Sequence, residues 1–179
     1  MNKILVQEQF GFRMQHSTEQ AVFSLITCIL TAMNNEQMVG GIFCDLQKAF
    51  DCVKQKILLD KLKFNGINGK FKTLIEPYST NRYQKGTLEK TDYNNKSSEW
   101  VKINCGVPQG SILGSLFFLI YIKDLPTIIN KDNNNVLYAD VINDSYRDDF
   151  NLHVNELFND INNWFKNNLL NLILPKLIT

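Results

Sequence analysis

With 179 residues, 44% hydrophobic and 21% charged, the chain is long enough to bury one core and too apolar to be disordered. A formal net charge of +1 gives no global sign of nucleic-acid binding. The charge is uneven, however: Lys54 to Lys85 holds eight basic residues against Asp60 and Glu76, and Asp140 to Asp160 holds six acids against Arg147. Such a division suits either two solvated surfaces or a polyphosphate side next to a metal side.

Cys28, Cys44, Cys52 and Cys105 are scattered without a CxxC pair, and His16 and His153 stand apart from any ligand spacing. That argues against a zinc site and for reduced, intracellular thiols. Residues 1–10 carry no signal-peptide core, and Lys123 with Asp124 interrupts the one long apolar run, so no membrane is expected as a partner.

In chain order, Gln9-Phe10-Gly11-Phe12-Arg13 is an aromatic lead-in. Ser17 and Gln20 form a capping box. Val22, Leu25, Ile26, Ile29 and Met33 then fall at helical spacing, predicting a helix of about four turns with this stripe in the core. Met38 to Asp45 reads as a buried strand, in which Gly40-Gly41 marks a close approach by backbone or ligand. Asp51 is placed to cap a helix bearing Val53, Ile57, Leu58 and Leu62 that stops at Gly66. A further helical pattern, Phe71, Leu74, Ile75 and Tyr78, is disturbed by Pro77.

Arg82 to Leu88 looks extended, Glu89 to Ser98 polar and looped, and Val101-Lys102-Ile103 strand-like. Gly106 to Gly110 is a tight loop, after which Ser111 caps an almost wholly apolar helix through Leu113, Leu116, Phe117 and Ile120. Val136 to Val141 predicts a buried strand that runs into Asp140. Asp148 or Asp149 caps a last helix with Phe150, Val154, Leu157, Ile161, Trp164 and Phe165 on one face. Leu169 to Ile173 reads as an edge strand shortly before Lys176.

Two buried strands thus end on acids, Asp45 and Asp140. One acid at a strand end is commonly a turn former or a cap. Two brought together are what a two-metal phosphoryl-transfer site needs, with cations about 4 Å apart, and the Leu46 carbonyl could add a ligand. Phe50 either anchors its turn to the core or lies against an incoming sugar, leaving no room for a 2′ hydroxyl. Gln109-Gly110 is either a turn before a capped helix or an amide and open backbone offered to a nucleotide or template. Lys176 is either a solvated lysine or a general acid near pyrophosphate.

Taken together and in order, these residues resemble a family. Asp45-Leu-Gln-Lys-Ala-Phe-Asp51, Gly106-Val-Pro-Gln-Gly-Ser-Ile-Leu-Gly114 and Tyr138-Ala-Asp140 look like the three palm motifs of reverse transcriptases, in the flavour of non-LTR, jockey-like retrotransposons. Gln9 to Arg13, His16-Ser-Thr18, Ile57-Leu-Leu59, Asn81-Arg-Tyr-Gln84 and Trp164-Phe165 agree with it, so the resemblance runs from about Gln7 to Lys176. It implies an α+β fold: a right-hand polymerase palm, an antiparallel sheet with helices on one face, over about 38–179, with a remnant of the fingers over about 1–37.

The implied activity is that of an RNA-directed DNA polymerase, adding deoxynucleotides to a primer 3′ hydroxyl with two Mg²⁺ ions, or Mn²⁺. The implied partners are an RNA template, a DNA primer and dNTPs, in nucleus or cytoplasm. By the same resemblance Asp45, Leu46 and Asp140 are metal ligands, and Asp45, Asp140 and Lys176 are catalytic. Phe50, Gln109 and Gly110 meet the nucleotide, and Arg13, Arg82 and Lys85 meet nucleic acid.

Several departures qualify it. The family has a second Asp directly after the first in the third motif, where this chain has Val141; Ser115 replaces the Pro after Gly114; Ile173 and Leu177 stand for Asn and Thr. The segment after Val141 looks short, with Asp144 as the nearest replacement acid. The upstream finger strands, thumb, endonuclease and RNase H are missing from these residues. The expectation is therefore a partial, decayed copy with impaired synthesis, the alternative being a dead palm remnant that binds nucleic acid weakly. Phe50 disfavours an RNA-dependent RNA polymerase, and open apolar surfaces are expected where missing parts would pack.

Overall fold

The structure, a computed structural model, describes residues 5–88, 96–129, 141–146 and 150–178. Its elements are α1 (Thr18–Asn34), β1 (Met38–Leu46), α2 (Ala49–Cys52), α3 (Gln55–Phe64), α4 (Lys70–Ser79), β2 (Arg82–Gln84) and β3 (Thr87–Leu88). These are followed by β4 (Lys96–Ser97), β5 (Val101–Ile103), α5 (Ile112–Ile122), α6 (Leu125–Ile128), β6 (Val141–Tyr146), α7 (Phe150–Asn167) and β7 (Leu172–Ile178). Helices and small antiparallel sheets mix along the chain, so the class is α+β.

β1 is the middle of an antiparallel sheet of order β6-β1-β7. Side chains alternate across a strand: Ile42, Cys44 and Leu46 are buried, whereas Phe43 is half-buried and Asp45 exposed. The inward set joins one core with Val53, Leu58 and Leu62 of α2–α3, Phe117 to Ile122 of α5, and Val154, Leu157, Ile161, Trp164 and Phe165 of α7. The α3 stripe, and the α7 stripe from Val154 onward, lie where their spacing put them. Gly66 ends α3 with φ 79, its following Ile67 N–H returning to Leu62. Ser17 forms the capping box with Gln20, and the Ser111 hydroxyl accepts from Gly114 N–H.

Other expectations are corrected. In α1 only Ala21 and Ala32 are buried; Val22, Ile26 and Met33 are exposed, as are Phe23 and Leu30, because no described element packs on that face. The space above Gly41 is taken by the Phe43 ring two residues on, 2.9 Å from where a Cβ would stand, so Gly41 accommodates a neighbour of its own strand. The helix disturbed by Pro77 in the sequence pattern, α4, runs through that proline to Ser79. Lys96–Ser97, expected in a loop, pairs with Thr87–Leu88 as a short ribbon.

The last strand begins at Leu172 instead of Leu169, whose φ of 53 turns the chain out of α7, and it runs past Lys176. Its pairing with β1 shifts between Phe43 and Asp45, so Leu174 and Pro175 both stand opposite Cys44. A bulge on an edge strand is where a proline, lacking an N–H, is tolerated. Residues 130–140, which hold most of the expected Val136–Val141 strand and Asp140, lie outside the described residues, as do Asp148 and Asp149. Among the described residues no helix is long and apolar enough to cross a membrane.

Candidate active site

The register of the central sheet brings the candidate residues to one end of it. Phe43 pairs with Val141 on one side and with Lys176 on the other. Antiparallel Cα partners lie about 5 Å apart, so these two positions flank Phe43 closely. Asp45 follows two residues along β1, roughly 7 Å away at the usual rise, opposite Ile173. Its carboxylate is exposed and takes no hydrogen bond or ion pair from the described residues. Leu46 is buried, and the next N–H, of Gln47, donates to the Asn171 carbonyl at 2.9 Å.

Asp144 is corrected as a replacement acid. It pairs with Gly40, five residues from Asp45 on the same strand, hence about 16 Å along it. The segment after Val141 does not bend back; it forms β6.

After β1 the chain turns at Lys48, which is left-handed (φ 50), into the single turn of α2. That turn carries Phe50 and Asp51 towards the loop before α5. The Phe50 ring is half-buried, 4.9 Å from Phe118 and edge-on to Phe12 at 5.8 Å, and the Phe50 carbonyl accepts from Val107 N–H at 2.9 Å. Anchoring to the core is therefore one of its roles. Asp51 does not cap α3: the helix starts after Lys54 with no side-chain cap. Instead Asp51 Oδ1 accepts from Gln109 Nε2 at 2.9 Å. Gly106 (φ 88) is pressed against Asp51, where a Cβ would lie 3.2 Å from its backbone, and Gly106 N–H donates to the Val53 carbonyl at 2.7 Å. Gln109 and Gly110 are exposed, with nothing near Gly110. The first and second motifs are thus tied by backbone and side chain, a link that two motifs read separately do not reveal.

The basic candidates divide. Arg13 Nη1 donates to the Val6 carbonyl at 2.7 Å and Arg82 Nη1 to the Gly106 carbonyl at 3.0 Å, so each also holds a loop. Lys85 is exposed, 6.0 Å from the Trp100 ring centre. The Lys176 backbone belongs to β7.

Behind the site lies a network that no motif announced. The Lys61 ammonium donates to Asp124 Oδ1 at 2.7 Å and to the Tyr121 carbonyl, 5.0 Å from the ring centres of both Tyr121 and Trp164. Burial, partly offset by Asp124, holds its pKa below the usual lysine value. The Tyr121 hydroxyl accepts from Lys54 N–H at 3.4 Å and donates to the Asn168 carbonyl at 2.6 Å. It therefore joins the start of α3 to the turn that leads into β7. Burial raises the Tyr121 pKa.

A family profile described as "Reverse transcriptase (RNA-dependent DNA polymerase)" matches residues 1–177. The chain belongs to the reverse transcriptase family. It is 31% identical over 152 residues to the RNA-directed DNA polymerase from mobile element jockey of Drosophila melanogaster, covering 81% of this chain and 16% of that protein. Similar relatives in the same organism are the probable RNA-directed DNA polymerases from transposon BS (34% over 126 residues) and transposon X-element (32% over 125 residues). Each match covers 69% of this chain and 13% of the relative, so this reverse transcriptase segment spans a small part of the proteins it resembles.

As for a metal, no group of three or more His, Cys, Asp or Glu is gathered among the described residues. Asp45, an exposed oxygen ligand with no described cation beside it, suits a hard divalent ion; Asp51, engaged by Gln109, is less available.

Proposed function

We propose that this segment is the palm, from about residue 38, with part of the fingers before it, of an enzyme that adds deoxynucleotides to a primer 3′ hydroxyl on an RNA template. Its own copy of the site is impaired. The observation that carries the reading is the register: the position after Asp140 and the position of Lys176 flank the strand that carries Asp45 near its end. Asp45, Asp140 and the Leu46 carbonyl would hold Mg²⁺, or Mn²⁺ in its place. When bound, two such ions would supply charge stabilisation to the attacking hydroxyl and the leaving pyrophosphate.

The chain's residues do the rest. Phe50, held against Phe118, would lie against the sugar and exclude a 2′ hydroxyl. Gln109 and Gly110 face nucleotide and template. Lys176 would give a proton to pyrophosphate, and Arg13, Arg82 and Lys85 would meet nucleic acid. Val141 offers no oxygen, and with Asp144 far along β6 nothing described replaces it. A dead remnant is the second reading, favoured by that same position.

The test places this segment in a related active enzyme, with Val141→Asp, and follows primer extension on RNA. Extension with dNTPs and not NTPs, lost in Asp45→Asn and opened to NTPs in Phe50→Val, is expected. Extension unaffected by Asp45→Asn contradicts the assignment.

A further inference from the structure

We propose that the exposed face of the β2–β5 ribbon is a stacking platform for single-stranded nucleic acid, with Trp100 and Tyr83 as its two rings. The inference deepens the polymerase reading, in which this segment handles a template, by naming a surface outside the motifs.

The ribbon pairs Tyr83 with Lys102 and Gln84 with Val101. Residues directly opposite share a face, so Tyr83 and Lys102 stand together. Lys85, just past the end of β2, lies over the ring of Trp100, just before β5. The result is two ring–ammonium pairs, Tyr83 with Lys102 on the ribbon and Trp100 with Lys85 at its end. All four side chains are exposed, Tyr83 at 56% and Trp100 at 67%. A large ring left in water beside cations gains little from folding; placed against a base it gains stacking, with the ammonium groups beside the phosphates.

Local charge favours the same ligand. Residues 82–88 and 96–103 contain Arg82, Lys85, Lys96 and Lys102 against Glu99 alone. The ribbon is also fixed relative to the second motif. Arg82 reaches the Gly106 carbonyl, and Gln55 Nε2 donates to the Ile103 carbonyl at 3.3 Å. The platform is therefore tethered beside the Gly106–Gly110 loop.

The chain has two tryptophans, and Trp164 is buried, so quenching on ligand addition reports Trp100. The experiment titrates the full chain with twelve-residue oligo(dT), oligo(rU) and a twelve-base-pair DNA duplex, reading tryptophan emission and the anisotropy of a labelled oligonucleotide. The expected result is saturable quenching by both single strands, tighter than by duplex. Trp100→Ala should weaken binding about tenfold and Trp100→Phe less than threefold, as stacking on a ring requires. Lys102→Gln should lower the salt dependence by roughly 0.7 in log–log slope, as loss of one phosphate contact from a single strand requires. Far-UV dichroism and Trp164 emission check that the variants are folded. Absence of binding, preference for duplex, or equal binding by folded Trp100→Ala overturns the platform. Oligonucleotide binding that ignores Trp100 would leave the polymerase reading standing, since that reading fails on Asp45 and Phe50 instead.

Discussion

Gly114, in the first turn of α5, is the most exacting steric position near the candidate site. A Cβ there would lie 2.3 Å from the Pro108 carbonyl oxygen and 3.0 Å from Ser111 Oγ. The obstacle is backbone, and it is tied down: Ser111 Oγ donates to that carbonyl at 2.9 Å, accepts from Gly114 N–H at 2.9 Å and accepts from the Tyr78 hydroxyl at 3.0 Å. Accommodating alanine requires a shift of about 1 Å, at about 1–3 kcal/mol for overpacking. Weakening the Ser111 cap adds about 1 kcal/mol, and the better helix propensity of alanine returns about 1 kcal/mol. Gly114→Ala is therefore expected to lose roughly 1–3 kcal/mol, a fall in Tm of about 3–10 °C for a chain of this size. Gly110 is the converse case, with open space but φ 76, and Gly110→Ala should lose only about 1 kcal/mol. Urea and thermal unfolding followed by far-UV dichroism measure both. A Gly114→Ala protein as stable as the parent would refute the steric argument.

The raised Tyr121 pKa, caused chiefly by burial, means that the folded state keeps this proton to higher pH than the unfolded chain, whose value is near 10.0. Its contribution is complete below pH 10 and is lost as pH rises above it; the stability gap between parent and Tyr121→Phe should be flat from about pH 7 to 9 and narrow above 10, as urea titrations at each pH will show. On α1, Phe23→Gln with Ile26→Gln should leave stability within about 1 kcal/mol, because both side chains are exposed. The same pair should reduce self-association and hydrophobic-dye binding, both measurable by sedimentation velocity and fluorescence.

What the sequence made legible were features whose physics is local. Ser17 with Gln20, Ser111 before α5, Gly66 after α3 and the buried stripes of α3 and α7 all depend on neighbours within a few residues. The family motifs were legible for the same reason, as contiguous strings. The misread features depend on what lies across space. The α1 stripe has helical spacing but no described partner, and periodicity cannot tell a face awaiting a partner from one that has it. Asp51 looks like a cap by type and position, yet Gln109, 58 residues away, takes its carboxylate. The last strand was expected over Leu169 to Ile173, yet it runs on past Pro175, where a register shift opposite Cys44 leaves the missing N–H without consequence. The Lys61–Asp124–Tyr121–Trp164 network, drawn from four separate elements or their junctions, left no pattern to read.

Under the proposed reading, Val141 impairs the polymerase site. The measurement that tests it most directly supplies the remaining polymerase segments from a related active enzyme and compares Val141 with Val141→Asp in primer extension with dNTPs and Mg²⁺. A ligand lost outright costs at least the hundredfold in rate that roughly 1 Å of misplacement costs, so synthesis should rise by about a hundredfold or more in Val141→Asp. Equal and robust synthesis by both proteins would contradict the account.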